Sequence, residues 1–581
     1  MSSDTFGSEL HRKREAIALE HLKAEDAHEF DRCLKAFYHP RYEIIPTGEV
    51  YDGYEGVMKL LKQNVTGFSD FSAELVSLGH GKDAVFMETR FRGTHSGVWN
   101  GIPPTGRKVD IPMMLVFLFE EDRMVCERTY FDLLTALRQL GVAPDLGPSA
   151  PTSFLEAYDA LAKTGQDPHQ IAAAQIGLFQ EWVALRPLEL FAELRAKRPI
   201  FETPGPLVVT RYHDVIEVID LDEIFSVESY GIGLRRNNEG PNFLLGMDNG
   251  PEFEKELAIG RLAIRRDDLP YIRRIVQGIA ESLLERARPA GQLEVANQYA
   301  RLAPTLMVAE YFGVPGPDPE TLTSWVQLML RDIFMNFAGD PAVTATGLDA
   351  SRHFRNYVDE LVARIKAERA AGAPEKDDVL GRLITMQCAP TTSLTDSRIR
   401  DQLVGYVCGV IENTTSAVVN VIDWLFDHPE QMQGATAAAC ANDNDLLLRY
   451  VLETLRFHSP VSMMARLSVR EHTLAKGTPR ATVIPPNKLI FAANGSAMMD
   501  ETELDNPEEF RLDRPPHHYL HFGWGLHQCL GKYISQVQVV ELVKGLLCLD
   551  GLHRAEGPQG ALQYDGAFAK SFVVRFNPQC T

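Results

Sequence analysis

No stretch of this chain is apolar for long enough to span a bilayer, no cysteines cluster, and no glycine-rich nucleotide loop is present. Each absence removes a class of protein. Without a long apolar run there is no candidate membrane-spanning helix. The start, Met1-Ser2-Ser3-Asp4-Thr5 running into Glu9-Leu10-His11-Arg12-Lys13-Arg14-Glu15, lacks the apolar centre of a signal peptide, so the expected location is cytoplasmic. Eight cysteines, at 33, 126, 388, 408, 440, 529, 548 and 580, stand without paired metal-ligand spacing, which speaks against zinc or a disulfide framework and for a reducing compartment. The lack of a Gly-x-Gly-x-x-Gly strand-to-helix unit and of an iron–sulfur cysteine cluster means that any electrons come from another protein. Positive charge is also short. Lys and Arg number 58 against 79 Asp and Glu, a formal charge of -21 that repels nucleic acid and anionic membrane surfaces.

What is present is ample core-forming material: 45% of 581 residues are hydrophobic and 24% charged. Such a length predicts roughly two to four domains. Prolines and glycine interrupt periodic segments between Val142 and Pro151, and the domain linker is placed there. Before it, helical segments extend to about Leu61 and are followed by alternating runs, Ala84 to Phe91 and Met113 to Phe119, that predict a half-buried, curved antiparallel sheet. After it, Phe154 to Lys163 and Gln170 to Arg186 have helical periodicity, and Pro199 to Ile219 reads as strand, turn, strand and helix. Long helical patterns dominate the remainder, around a strand-rich patch from about Leu467 to Phe491. The expected organisation is a first domain over residues 1–142, a linker and connecting helix over 143–176, and a second domain over 177–581.

Near the end the chain reads Phe522-Gly523-Trp524-Gly525-Leu526-His527-Gln528-Cys529-Leu530-Gly531, a glycine-bracketed cysteine loop entering a helix. Glycines let backbone pass close under a flat macrocycle, and a helix N-terminus steadies a thiolate. Cys529 is the candidate axial ligand to a haem iron. A thiolate ligand pushes electron density onto iron and favours O–O cleavage, so the loop points to oxidation chemistry. The pattern Phe-x-x-Gly-x-x-x-Cys-x-Gly at Phe522, Gly525, Cys529 and Gly531 resembles the haem-binding signature of the cytochrome P450 superfamily. That resemblance implies haem b and a mainly α haem-thiolate fold with small sheets.

Other elements follow in the family's order. Glu453 and Arg456, one helical turn apart, resemble the structural Glu-x-x-Arg pair, with Arg511 or Arg514 as the third partner. Arg466 and His527 match positions that bind haem propionates. The helix from Gln402 to Val419 resembles the one crossing above the haem, with Thr414 at the position of the oxygen-side threonine, Asn413 at that of the acid and Glu412 one step earlier. An amide does not supply a proton as an acid does, and a one-residue shift turns a side chain by roughly 100°. Phe253 and Leu257 fall where the family has histidine and arginine near the propionates, and Gln536 and Gln538 replace residues of a basic patch that steers an acidic ferredoxin.

The stretch Gly93 to Arg107 and the ending Tyr130-Phe131-Asp132 through Gln139-Leu140-Gly141 resemble the SnoaL-like polyketide cyclase group of the nuclear transport factor 2-like superfamily, over most of residues 8–142. The resemblance implies an α+β cone enclosing a small apolar pocket. Asp132, Tyr130, Glu88 and His95 are its candidate polar occupants, with Asp132 first, because a carboxylate in an apolar pocket becomes a usable acid or base.

Together these readings describe a haem-thiolate monooxygenase that hydroxylates or epoxidises a hydrophobic small molecule such as a terpenoid, steroid or polyketide, as in secondary metabolism. Electrons come from an external ferredoxin and reductase, or peroxide replaces them. The first domain dimerises the chain, handles substrate, or isomerises, cyclises or hydrates the product. Two rivals stand beside this reading: a peroxide-driven or oxygen-independent haem-thiolate peroxygenase, isomerase or dehydratase, and a noncatalytic haem-containing binding or sensing module.

Overall fold

A computed structural model describes residues 3–142, 153–164, 167–240, 242–336, 339–389 and 393–578, with side chains from residue 9 onward. The expected linker, apart from Val142, lies outside the described residues. The chain divides into two compact units between Thr152 and Ser153.

The first unit is built on six strands: β1 (Arg41–Ile44), β2 (Glu49–Asp52), β3 (Ser72–His80), β4 (Ala84–Thr94), β5 (Lys108–Glu120) and β6 (Arg123–Phe131). Their order is β2-β1-β6-β5-β4-β3. Neighbours run antiparallel except β1 and β6, which are parallel with Tyr42 opposite Glu127. Register shifts at Leu75/Ser77 and Leu118/Phe119 place bulges that bend the sheet. Helix Ser3–Asp26 lays Ala18 and Leu22 into a core with Val57, Leu61, Val85 and Phe117, while a second cluster joins Phe68, Phe71, Ile111 and Leu140. The sheet thus curves around a space between two apolar clusters.

The second unit is mainly helical. Its largest core gathers buried residues of Leu269–Ala287, Asp396–Phe426 and Lys532–Leu547. A five-stranded sheet takes its edge pair from Ile200–Glu202 and Leu207–Val209 and continues through Leu489–Ala492, Met464–Ser468 and Phe225–Ser226. The strand, turn, strand and helix expected over 199–219 and the strand-rich patch near 467–491 are both present. Residues 154–176, expected as part of a connecting segment, belong to this unit instead. Phe154, Tyr158, Phe179 and Trp182 pack with Phe201, Val208 and Ala493, because leaving so much aromatic surface in water would cost more than ordering two helices. Among the described residues no helix is long and apolar enough to cross a membrane.

Candidate functional site

The cysteine loop is shaped by two glycines with positive φ, Gly523 at 70° and Gly525 at 62°. At Gly525 a Cβ would also stand 2.5 Å from Asp220 Oδ1, so both conformation and space require glycine. The turn brings Cys529 N–H to the carbonyl of Phe522 at 2.8 Å, and the helix Lys532–Leu547 starts directly after Gly531. Cys529 is accessible, although protein surrounds its sulfur closely enough for burial to push the thiol upward. Backbone N–H groups of Gly531 and Lys532 oppose that push. An accessible sulfur amid dense protein, met by helix N-terminal N–H groups, suits a metal-bound thiolate.

Among the described residues, two basic groups beside the loop have no hydrogen-bonded acid. Arg466 is 4% exposed, and its guanidinium donates to the carbonyl of Ala465 at 2.9 Å. His527 Nε2 is buried without a partner. Burial, then the nearby Arg466 charge, lowers this histidine to about 4. Phe253 fills the space where a histidine was expected, packing its ring edge-on to His527 at 5.0 Å. Arg261, further along the same helix, is exposed and does not replace it. Asp222 and Asp248 act on both groups only at a distance, so a buried guanidinium and a half-buried imidazole with no hydrogen-bonded acid among the described residues fit the carboxylates of haem.

The expected brace is complete. Arg456, 1% exposed, donates from Nη2 and Nε to Glu453 at 2.7 and 3.1 Å, and Arg514 Nε reaches the same carboxylate at 3.0 Å. Arg514 is therefore the third partner. Arg511 contributes its backbone N–H to Glu453 at 3.0 Å while its side chain pairs with Asp513.

The long helix Asp396–Phe426 departs from expectation. Thr414 is 2% exposed, whereas Asn413 is open and donates to the carbonyl of Gly409 at 3.0 Å. Gly409 and Asn413, one turn apart, form an open stripe, and the preceding Gly405 is covered by the Phe243 ring. Helical geometry turns Thr414 away from that stripe by roughly 100°. Glu412 is buried and engaged by Arg301 at 2.7 and 3.0 Å and by Gln327 at 3.0 Å. Of the two neighbours, Asn413 rather than Thr414 is the side chain on the open stripe. Accordingly, Asn413→Ala should lower product formed per reductant consumed by up to about tenfold, the worth of one hydrogen bond, while Thr414→Ala changes it little. Gln538 is a second correction: it is 1% exposed with both amide atoms unpartnered, so it is core rather than part of a docking patch.

In the first unit Asp132 does not enter a pocket. It caps helix Leu133–Leu140, accepting from Thr135 N–H at 3.2 Å and Thr135 Oγ1 at 2.5 Å. The Thr135 bonds hold its proton affinity below the usual range, so the stability it lends is present above 3.8 and fades as pH falls below that value. Asp132→Ala should lower the melting temperature of this unit slightly and leave ligand binding unchanged, readable by a thermal melt with and without ligand. Tyr130 is 39% exposed, Glu88 pairs with Ser77 on the outer face, and His95 is buried in the loop against Phe68. None of the four lines the cavity.

The cavity, about 110 Å³, is lined largely by Leu60, Phe68, Phe91, Trp99 and Phe131, and its carboxylates are Glu25, Glu49 and Glu127. Glu127 accepts from His21 Nε2 at 2.9 Å and from Thr129 at 3.2 Å, and Tyr42 OH lies 2.9 Å from His21 Nε2 and 3.4 Å from Glu25. Sequence reasoning missed this group. Its signals were His21 and Glu25 four apart on the apolar face of Ala18 and Leu22, and Glu127 at the inward parity of Thr129 and Phe131.

The profile of the SnoaL-like polyketide cyclases matches residues 18–140, and that of cytochrome P450 matches 320–547. The polyketide biosynthesis cytochrome P450 PksS of Bacillus subtilis is 23% identical over 396 residues, 66% of this chain and 89% of that protein. The steroid C26-monooxygenase of Mycolicibacterium smegmatis is 23% identical over 355 residues, 60% of this chain and 82% of its own length. The solved structure of a cytochrome P450 from Chondromyces apiculatus superposes with a TM-score of 0.58 at 22% identity, covering 68% of this chain and 97% of that one.

Proposed function

The second unit belongs to the cytochrome P450 superfamily and the first to the SnoaL-like polyketide cyclases, and on that premise we propose that the chain oxidises a hydrophobic small molecule of the polyketide, steroid or terpenoid kind, with Cys529 as the iron ligand. Members of the superfamily are monooxygenases that carry haem on a cysteine thiolate. The observation that carries the assignment of residues is the Cys529 loop beside Arg466 and His527, two groups with no hydrogen-bonded acid among the described residues. Arg466 and His527 would hold the haem carboxylates, with Phe522, Gly525 and Gly531 shaping the loop. When bound, a thiolate-ligated haem supplies oxidative cleavage of an O–O bond. Asn413 offers a hydrogen-bonding amide on the open stripe, while Glu412, tied to Arg301, is the buried acid one residue away. The substrate class rests on relatives named for polyketide biosynthesis and steroid oxidation. The electrons in this reading come from an external ferredoxin and reductase, as superfamily members use.

Asn413 in place of an acid favours a second reading, turnover driven by peroxide. One experiment separates the two: purified protein is given steroid and polyketide panels with ferredoxin, reductase and reductant, or with peroxide alone. Product gaining one oxygen under electron supply supports the first reading; product under peroxide alone supports the second. Tight binding without product in either arm would sink both.

A further inference from the structure

Two helices of the second unit end with their cysteines side by side. Cys440 closes the helix Pro429–Cys440, Cys548 caps the helix Lys532–Leu547, and their sulfurs stand 3.7 Å apart although 108 residues separate them in sequence. Both thiols are free and exposed. From this juxtaposition we propose that Cys440 and Cys548 are a reversible disulfide site, at which a small-molecule disulfide oxidant ties together the two ends of the segment that holds the haem.

Packing on either side holds the sulfurs in place. Ala439 and Leu547, the residues immediately before them, are buried in one apolar core, so the two helix ends are fixed while the next side chain on each is exposed. Lys544, one turn before Cys548, donates to Asn442 Oδ1 at 2.9 Å and to Asn444 Oδ1 at 3.1 Å, which pins the turn after Cys440 against the same helix. A disulfide requires about 2.05 Å between sulfurs. The remaining approach falls at two helix ends, where the backbone yields more readily than inside a helix. Cys388, also exposed, instead turns its thiol back to the carbonyl of Ile384.

In the step itself, the thiolate of one cysteine attacks a sulfur of the oxidant and releases one small thiolate, leaving a mixed disulfide on the protein. The second cysteine, as thiolate, attacks the protein-side sulfur and expels the other small thiolate. One S–S bond breaks in the oxidant and one forms in the protein. The two cysteine protons go to the expelled thiolates, and the two electrons reduce the oxidant. Excess small thiol reverses both exchanges, and exposed disulfides are the labile kind, made and broken as the surrounding thiol balance shifts. The bond stands apart from the haem assignment, but its consequence rests on that reading. The loop it closes, residues 441–547, carries Glu453, Arg456, Arg466, Arg514, His527 and Cys529. Joining the ends of a loop restricts the unfolded chain most, so the oxidised form keeps this segment folded at denaturant concentrations that open the dithiol form.

The test equilibrates the haem-loaded full chain with mixtures of reduced and oxidised glutathione, blocks the remaining thiols with an alkylating agent and maps cross-linked peptides by mass spectrometry. A peptide pair joined through Cys440 and Cys548 is expected, growing with the oxidised share and lost on return to reduced glutathione. It should be absent in Cys440→Ser and in Cys548→Ser and intact in Cys388→Ser. The oxidised chain should also unfold in urea, by far-UV circular dichroism, at a midpoint about 0.5 M or more above that of the dithiol form, a shift that Cys440→Ser removes. Should Cys440→Ser fold poorly, Cys548→Ser carries the comparison. Glutathione adducts alone, cross-links between chains, or a bond to another cysteine would overturn the site, and a mapped bond with an unshifted midpoint would overturn the clamp. Neither readout sees haem, so a failed haem assignment and a failed disulfide site give different results.

Discussion

Cys529→Ala is expected to abolish the strongly red-shifted Soret band that the reduced, carbon monoxide-treated protein shows, and with it all electron-driven oxidation. The argument is geometric. The loop that carries Cys529 is closed by its own N–H on the Phe522 carbonyl at 2.8 Å and by glycines whose φ values other residues resist. The imidazole two residues away, His527, is packed edge-on against Phe253. Cys388→Ser, at an exposed cysteine elsewhere, should leave the band intact. A band that survives Cys529→Ala in haem-loaded protein would remove the assignment of the ligand.

The second large effect is expected at Glu453. This carboxylate is fully buried and receives Arg456, Arg514, the backbone N–H of Arg511 and the hydroxyl of Tyr519. Removing its charge leaves two buried guanidinium groups facing each other, and breaking a buried pair in this way costs about 3–5 kcal/mol. Glu453→Gln should therefore unfold the haem unit at markedly lower denaturant and lose haem on mild heating, followed through the Soret band. Burial works against the charged form, but Arg456 and its other donors outweigh it and hold Glu453 below its ordinary 4.5. Its contribution is therefore fully present above pH 4.5 and is lost as pH falls through the lower, folded-state value. Glu453→Gln should flatten that acid limb. An unchanged midpoint in the variant would show that the arginines find other acceptors.

Much of the second unit was legible because its signals are local. A cysteine between glycines, a glutamate and arginine one turn apart, and a long apolar helix each specify their surroundings through short-range backbone geometry. Fixed spacing also pointed to Arg466 and His527, which the fold brings near each other. The sequence did not distinguish Arg511 from Arg514, since both follow Glu453 at distances that only the folded loop resolves: one sends its side chain to Asp513 and the other to Glu453. Nor did it orient Asn413 and Thr414. Adjacent residues on a helix differ by a fraction of a turn, and which one meets open space depends on what packs around the helix.

The first unit shows the converse. Alternation determined that a curved sheet would form and that its inward residues would be apolar, because the pleat sends successive side chains to opposite faces. It left the polar group of the cavity unplaced. Asp132 follows β6 directly but caps a helix, since the four unpaired N–H groups at a helix start draw a nearby carboxylate. The cluster of His21, Glu25, Tyr42 and Glu127 is drawn from a helix and two strands up to 106 residues apart. Sequence determined each residue's face; only the parallel pairing of β1 with β6, beneath the first helix, decided that those faces meet in one cavity. Pairing partners that far apart are selected by burial of the whole sheet, a free energy that no single segment carries.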